Sequence, residues 1–198
     1  MAKQEVLFFV EDNAQEQILP SLFARIAVGL GVDDADVRLR VVHSRGGDSI
    51  RALRDYLRDY PGSDDITVVL GSDGNCKGFA ERRKTLVSRL ERETKGAKVI
   101  FAIPNPHIER WYLIDHKALS AAVGKPVTDH APDLKCDKGR YKVILRDAIR
   151  STGVTPLQGG AEYGSEIADT LDLYRAGKDD HGFKFFHEQV KEWAKARI

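Results

Sequence analysis

Three groups of side chains in this 198-residue chain have the types and spacing to do chemistry, and each follows an apolar run. Glu11 and Asp12 come directly after "VLFFV". Asp73 and Asn75, two positions apart, come after "TVVLG". Glu109 and Asp115 open and close "ERWYLID", downstream of "VIFAIP". Hard divalent cations take oxygen ligands, and magnesium is typically held by one or two carboxylates with water in the remaining positions. A cation held in that way would polarise a phosphoryl oxygen and activate a water for hydrolysis. The same residues also have a plainer reading. Asp-Gly-Asn is ordinary turn chemistry, and an acid after a strand commonly caps the next helix.

The elements that must position these groups alternate regularly. "EVLFFVED" (5–12) is an apolar run ending in acids, the pattern of a strand buried on both faces. "AQEQILPSLFARIAVGLG" carries Ile18, Leu22, Ile26 and Leu30 at helical spacing, with Pro20 marking a kink or a late start. "DVRLRVVHS" (36–44) alternates as an edge strand does, and "SIRALRDYLRDY" is a helix capped by Asp48 and stopped at Pro61-Gly62. "DITVVLG" is a third strand, "FAERRKTLVSRLERETKG" a helix ending at Gly96, and "AKVIFAIP" a fourth strand. This rhythm predicts an α/β fold: a mostly parallel, Rossmann-like sheet of about four strands flanked by helices. In such sheets ligands bind beyond the carboxyl ends of the strands, where all three acidic groups fall.

Past Leu119 the pattern weakens. Residues 124–138 read as a loop, followed by helices in "GRYKVILRDAIRS", "AEYGSEIADTLDLYRAG" and "FKFFHEQVKEWAKAR". The expected organisation is an α/β core over 1–120 and a helical C-terminal extension over 121–198, packed on it as one domain.

Composition narrows the classes. With 42% hydrophobic and 31% charged residues, the chain suits one soluble domain that buries about 70% of its unfolded surface. Cys76 and Cys136 have no CxxC spacing, which argues against zinc and favours reduced thiols in a reducing, cytoplasmic setting. The N-terminus does not read as a signal peptide and no run is long enough to span a membrane. A net charge of +1 leaves a nucleic-acid partner to local clustering. Neither GxGxxG nor GxxxxGK[ST] occurs, so dinucleotide binding and P-loop hydrolysis lack support.

In their order along the chain, these motifs resemble the TOPRIM domains of topoisomerases, primases and OLD-type nucleases. Those domains place a glutamate after the first strand and a D-x-D pair after a later one. "LFFVEDNAQEQILPSLFARI" is similar to the first element, with Glu11. "TVVLGSDGNCKGF" is similar to the second, with Asn75 in place of the second acid. "VIFAIPNPHIERWYLID" resembles the E-x-W-x-L-x-D segment of a TOPRIM-like family encoded beside ATPases in bacterial defence loci, and the resemblance continues through the C-terminal helices. It implies a nuclease that hydrolyses phosphodiesters with Mg2+ or Mn2+ in anti-phage defence. Glu11 and Asp73 would be catalytic, and Glu11, Asp73, Asn75, Glu109 and Asp115 would supply the metal ligands. Nucleic acid, DNA or RNA, would be the substrate, with an ATPase and a second copy of the chain (a homodimer) as further candidate partners and no membrane. An amide at position 75 keeps an oxygen ligand but removes a charge. The resemblance therefore also allows a binding module, weakened in catalysis, that serves an ATPase.

Arg82, Arg83 and Lys84 are the candidate nucleic-acid contacts, set against the reading that they belong to a solvated face interleaved with acids. Trp111 and Tyr112 read as core rather than as a base-stacking pair. His43 and His107 belong to no recognisable dyad and read as structural or surface residues. A response-regulator-like switch ranks last, because the fourth strand end offers "IPNPH" where such a switch needs Lys.

Overall fold

In a computed structural model, residues 3–60, 66–94, 98–128, 136–137 and 139–198 are described. Four strands, β1 (Gln4–Val10), β2 (Val37–His43), β3 (Thr67–Gly71) and β4 (Val99–Ala102), form one parallel sheet in the order β2-β1-β3-β4. The apolar runs explain that order. β1 and β3 lie in the middle and bury side chains on both faces, which Val6–Val10 and Thr67–Gly71 can all tolerate. β2 alternates half-buried with exposed residues and forms one edge, as its pattern predicts. Side chains leave β1 in alternate directions. Val6, Phe8 and Val10 enter one apolar cluster, Leu7 and Phe9 the other.

Helices cover both faces. On one side α2 (Ser49–Asp59) and α3 (Gly78–Thr94) add Ile50, Leu53, Leu86 and Leu90 to the cluster around Leu7 and Phe9. On the other, α1 (Asn13–Val28) runs through Pro20 without ending there. The segment after β4 gives two short helices, α4 (Glu109–Leu113) and α5 (His116–Val123), and α6 (Arg140–Arg150) follows. The continuous helix expected over 161–177 is broken. A 3-10 turn leads into α7 (Gly164–Thr170), and α8 (Leu173–Asp179) starts afresh at the N-cap Asp172. α9 (His181–Lys195) closes the chain, and its Phe183, Phe186, Val190 and Trp193 join the same cluster as β1 and α1. The C-terminal helices thus share the core of the sheet.

At the outer edge of β4 a side chain pairs with the backbone of Phe101. Gln189 of α9 donates from Nε2 to the Phe101 carbonyl at 3.1 Å, and its Oε1 accepts from the Phe101 N–H at 3.2 Å. Trp111 and Tyr112 are fully buried, as core residues should be, and the Tyr112 hydroxyl donates to the Ala14 carbonyl at 2.7 Å.

Cys76 and Cys136 form a disulfide across 60 residues, which corrects the expectation of reduced thiols. Spacing gave no sign of the pair, because the loop after β3 and the approach to α6 meet only in three dimensions. Among the described residues, no helix is long and apolar enough to cross a membrane. The stops expected at Pro61-Gly62 and Gly96, and most of the loop at 124–138, lie outside the described residues.

Candidate functional site

The strand order reverses direction between β1 and β3, and the crevice at such a switch point is where open parallel sheets bind ligands. Glu11 is the first residue beyond β1, and Ser72 and Asp73 are the first beyond β3. Backbone bonds continue past the ends of β3 and β4. Ser72 N–H donates to the Ala102 carbonyl at 2.9 Å, Gly74 N–H to Pro104 at 2.8 Å and Asn75 N–H to Pro106 at 2.8 Å. This zipper carries Asp73 up against the turn that leads into α4. It requires glycine at 74, where a Cβ would lie 2.9 Å from the Pro104 carbonyl oxygen.

Asp73 is the hub. Its Oδ1 accepts from Gln15 Nε2 and from the Ile108 N–H, both at 3.2 Å, and its Oδ2 lies 2.8 Å from Nδ1 of His107. That hydrogen bond, aided by the negative charge, raises the pKa of His107 against the opposing effect of burial. Gln15 is fully buried, and its Oε1 accepts the Glu11 N–H at 3.0 Å, so one amide ties the ends of β1 and β3 together. Gly71 makes room for it, since a Cβ there would fall 2.5 Å from Gln15 Oε1.

Glu11 accepts from three donors. Its Oε1 accepts from the Ser72 hydroxyl at 2.7 Å and from Arg82 Nη2 at 3.4 Å, and its Oε2 accepts from the Asp73 N–H at 3.3 Å. Burial raises its pKa to about 7, opposed by the Ser72 bond and reinforced by the charge of Asp73. Arg82 also donates to Ser72 Oγ at 2.5 Å.

Glu109, at the start of α4, is the most enclosed acid of the group, with a side chain 4% exposed. Its Oε1 lies 3.6 Å from Nζ of Lys142 on α6, while its Oε2 is buried with no hydrogen-bond partner. Burial pushes its pKa to about 7, Asp73 adds to the rise, and Lys142 opposes it. Lys142 also bridges to Asp12 Oδ2 at 3.2 Å. Asp73, Asn75, His107, Glu109, Tyr141 and Lys142 line a cavity of about 440 Å³, with Cys76 and Cys136 in its wall.

Not every predicted residue joins this site. Asn75 lines the cavity but is exposed and left-handed (φ 49°), a conformation asparagine tolerates, and its amide donates to the carbonyl of Asp73 at 3.2 Å. The turn reading of Asp-Gly-Asn accounts for it. Asp115 is a helix cap and not a cavity residue. Its Oδ1 accepts from the Lys117 and Ala118 N–H groups, and its Oδ2 accepts from the Asp172 N–H at 3.0 Å. The three basic residues diverge. Arg82 faces Glu11, while Arg83, stacked over the Phe185 ring at 4.4 Å, and Lys84 are exposed.

The donor chemistry fits a sparse cation site better than a cage. Among the described residues, no three His, Cys, Asp or Glu side chains form a ready metal-binding group. What the site offers is one buried carboxylate oxygen without a donor, on Glu109, beside the charge of Asp73, with the cavity leaving room for water. That is the arrangement a largely hydrated divalent ion accepts. Gln15 and Lys142 escaped the sequence reading, and His107, read there as a structural or surface residue, lines the cavity and meets Asp73. The signal for His107 was its place five residues beyond the last residue of β4. Comparison with family models, with curated proteins and with solved structures gives no match, so the site's geometry carries the functional argument by itself.

Proposed function

We propose that the protein is a Mg2+- or Mn2+-dependent phosphodiesterase of TOPRIM type acting on nucleic acid, DNA or RNA, within an anti-phage defence system. One observation carries the reading. Glu11, Asp73 and Glu109, from three separate segments, meet around Asp73 at the switch point of the sheet. Glu109 and Asp73 would hold the cation, which when bound supplies positive charge to a phosphoryl oxygen and acidifies a water. Glu11, with its pKa near 7, is suited to exchange a proton with the attacking or leaving oxygen. Lys142, 61% exposed at the cavity, would meet a backbone phosphate, and Arg82 would balance charge behind Glu11.

The test is cleavage of single-stranded DNA, duplex DNA and tRNA in Mg2+ or Mn2+. Glu11→Ala, Asp73→Ala and Glu109→Ala should each lower the rate about 100-fold or more, the size of effect seen on removing a positioned acid or base. Cleavage that persists unchanged in all three removes the mechanism.

A second reading has its own support. The oxygens of Glu11 and Asp73 are already occupied by protein donors, and Asn75 stands where a second acid would be. A module that binds a partner ATPase and does no chemistry would look like this. Calorimetric titration separates the two, because absence of binding at millimolar Mg2+ and Mn2+ leaves only the binding module.

A further inference from the structure

We propose that the cation is held by the imidazole of His107 together with Glu109, with Asp73 behind the ring as its orienting acceptor. A site built this way takes a first-row transition ion in preference to magnesium. The inference deepens the cation-dependent reading above and rests on it, but it reassigns Asp73 from ligand to support.

Two independent features lead to it. The first is the state of Asp73, whose two oxygens serve three donors: Gln15 Nε2, the Ile108 N–H and His107 Nδ1. A cation on Asp73 would have to displace one of them. With Nδ1–H of His107 donating to the carboxylate at 2.8 Å, the neutral ring carries its free lone pair on Nε2, and a cation there would replace the second ring proton. A carboxylate bound to one ring nitrogen, leaving the other for the metal, is how ligating histidines are usually oriented. The second feature is Glu109 Oε2, a buried carboxylate oxygen with no hydrogen-bond partner in a side chain only 4% exposed. A polar atom so placed carries a desolvation penalty that a cation would relieve.

His107 and Glu109 line the same cavity, and the Ile108 N–H between them is bound to Asp73, so residues 107–109 are anchored to the hub as a unit. Lys142 approaches Oε1 of Glu109, which leaves Oε2 for the ion. Imidazole suits zinc, iron, nickel and copper, whereas magnesium is served by carboxylate, carbonyl and water oxygens. One nitrogen and one carboxylate, with open positions for water, therefore discriminate against magnesium.

Two measurements test this. In 15N-labelled protein, stoichiometric Zn2+ should move the Nε2 resonance of His107 while Nδ1 stays protonated toward Asp73, with His43 serving as the unperturbed control. Calorimetry should show Co2+ bound at least about 100-fold more tightly than Mg2+, and His107→Gln should cut that ratio about tenfold or more. Bound zinc with an unmoved His107 Nε2, or a ratio unchanged by His107→Gln, overturns the assignment and leaves the magnesium reading standing. Failure of every cation to bind overturns both. Should His107→Gln not fold, the resonance of the wild-type protein decides.

Discussion

Glu109 and Asp115 open and close one short segment, and both side chains are buried, yet the protein treats them in opposite ways. Asp115 sits where a helix begins and another chain segment passes, so three backbone N–H groups converge on it. Burial works against its charge, but those bonds win and hold its pKa below the usual value. Glu109 sits at the start of a five-residue helix, where its own backbone N–H is the one backbone group that opposes the effect of burial on its carboxyl. Burial dominates, its pKa rises to about 7, and one oxygen is left bare. An enclosed acid is a structural part when the backbone satisfies it, and a reactive one when it does not.

The largest effect is expected from Asp115→Ala. Losing the cap of α5 and orphaning the Asp172 N–H should destabilise the fold by about 3 kcal/mol in urea unfolding, with cation affinity unchanged. A loss of cation binding in a folded Asp115→Ala variant would put Asp115 in the site after all.

Next comes pH. The folded pKa of Glu109 lies above its unfolded value, so its contribution to stability is complete below about pH 4.5 and is lost as pH rises toward 7. Asp115 has the opposite sign. Its folded pKa is depressed, and its contribution is present above the unfolded pKa near 4 and is lost in acid. Glu109→Gln should therefore gain about 2–3 kcal/mol over the wild type at pH 8, in the absence of divalent ions, and nothing at pH 4. An equal effect at both pH values would show that Glu109 is already satisfied.

The smallest effect belongs to Asn75→Asp. If Asn75 is a left-handed turn residue, restoring a second acid there should change cation affinity by less than about fivefold, the worth of one exposed charge pair. A larger gain would return Asn75 to the ligand set.

The strands were legible because a two-sided buried strand needs an unbroken apolar run and an edge strand needs alternation, and both patterns are local. The acids beyond β1 and β3 were legible for the same reason. The roles of individual acids were not, because capping and ligation ask for the same carboxylate after the same kind of element. Asp115 could be separated from Glu109 only by where their donors come from, and one of those donors is Asp172, far along the chain. His107 needed the zipper between the β3 and β4 loops to meet Asp73, and Lys142 reaches Glu109 from a helix that no spacing connects to it. The break at Leu171 and Asp172 was hidden because both halves have good helical spacing.

The amide of Gln189 on β4 has a consequence for assembly. By offering one donor and one acceptor to the two backbone groups of Phe101, it does in miniature what a neighbouring strand would do. The β4 margin is thereby closed to strand addition at that point. At the other margin, on β2, Arg38 and Arg40 stand exposed and Arg40 is engaged with Glu5. An amide on Phe101 at one margin and exposed arginines at the other are both devices that discourage edge-to-edge pairing.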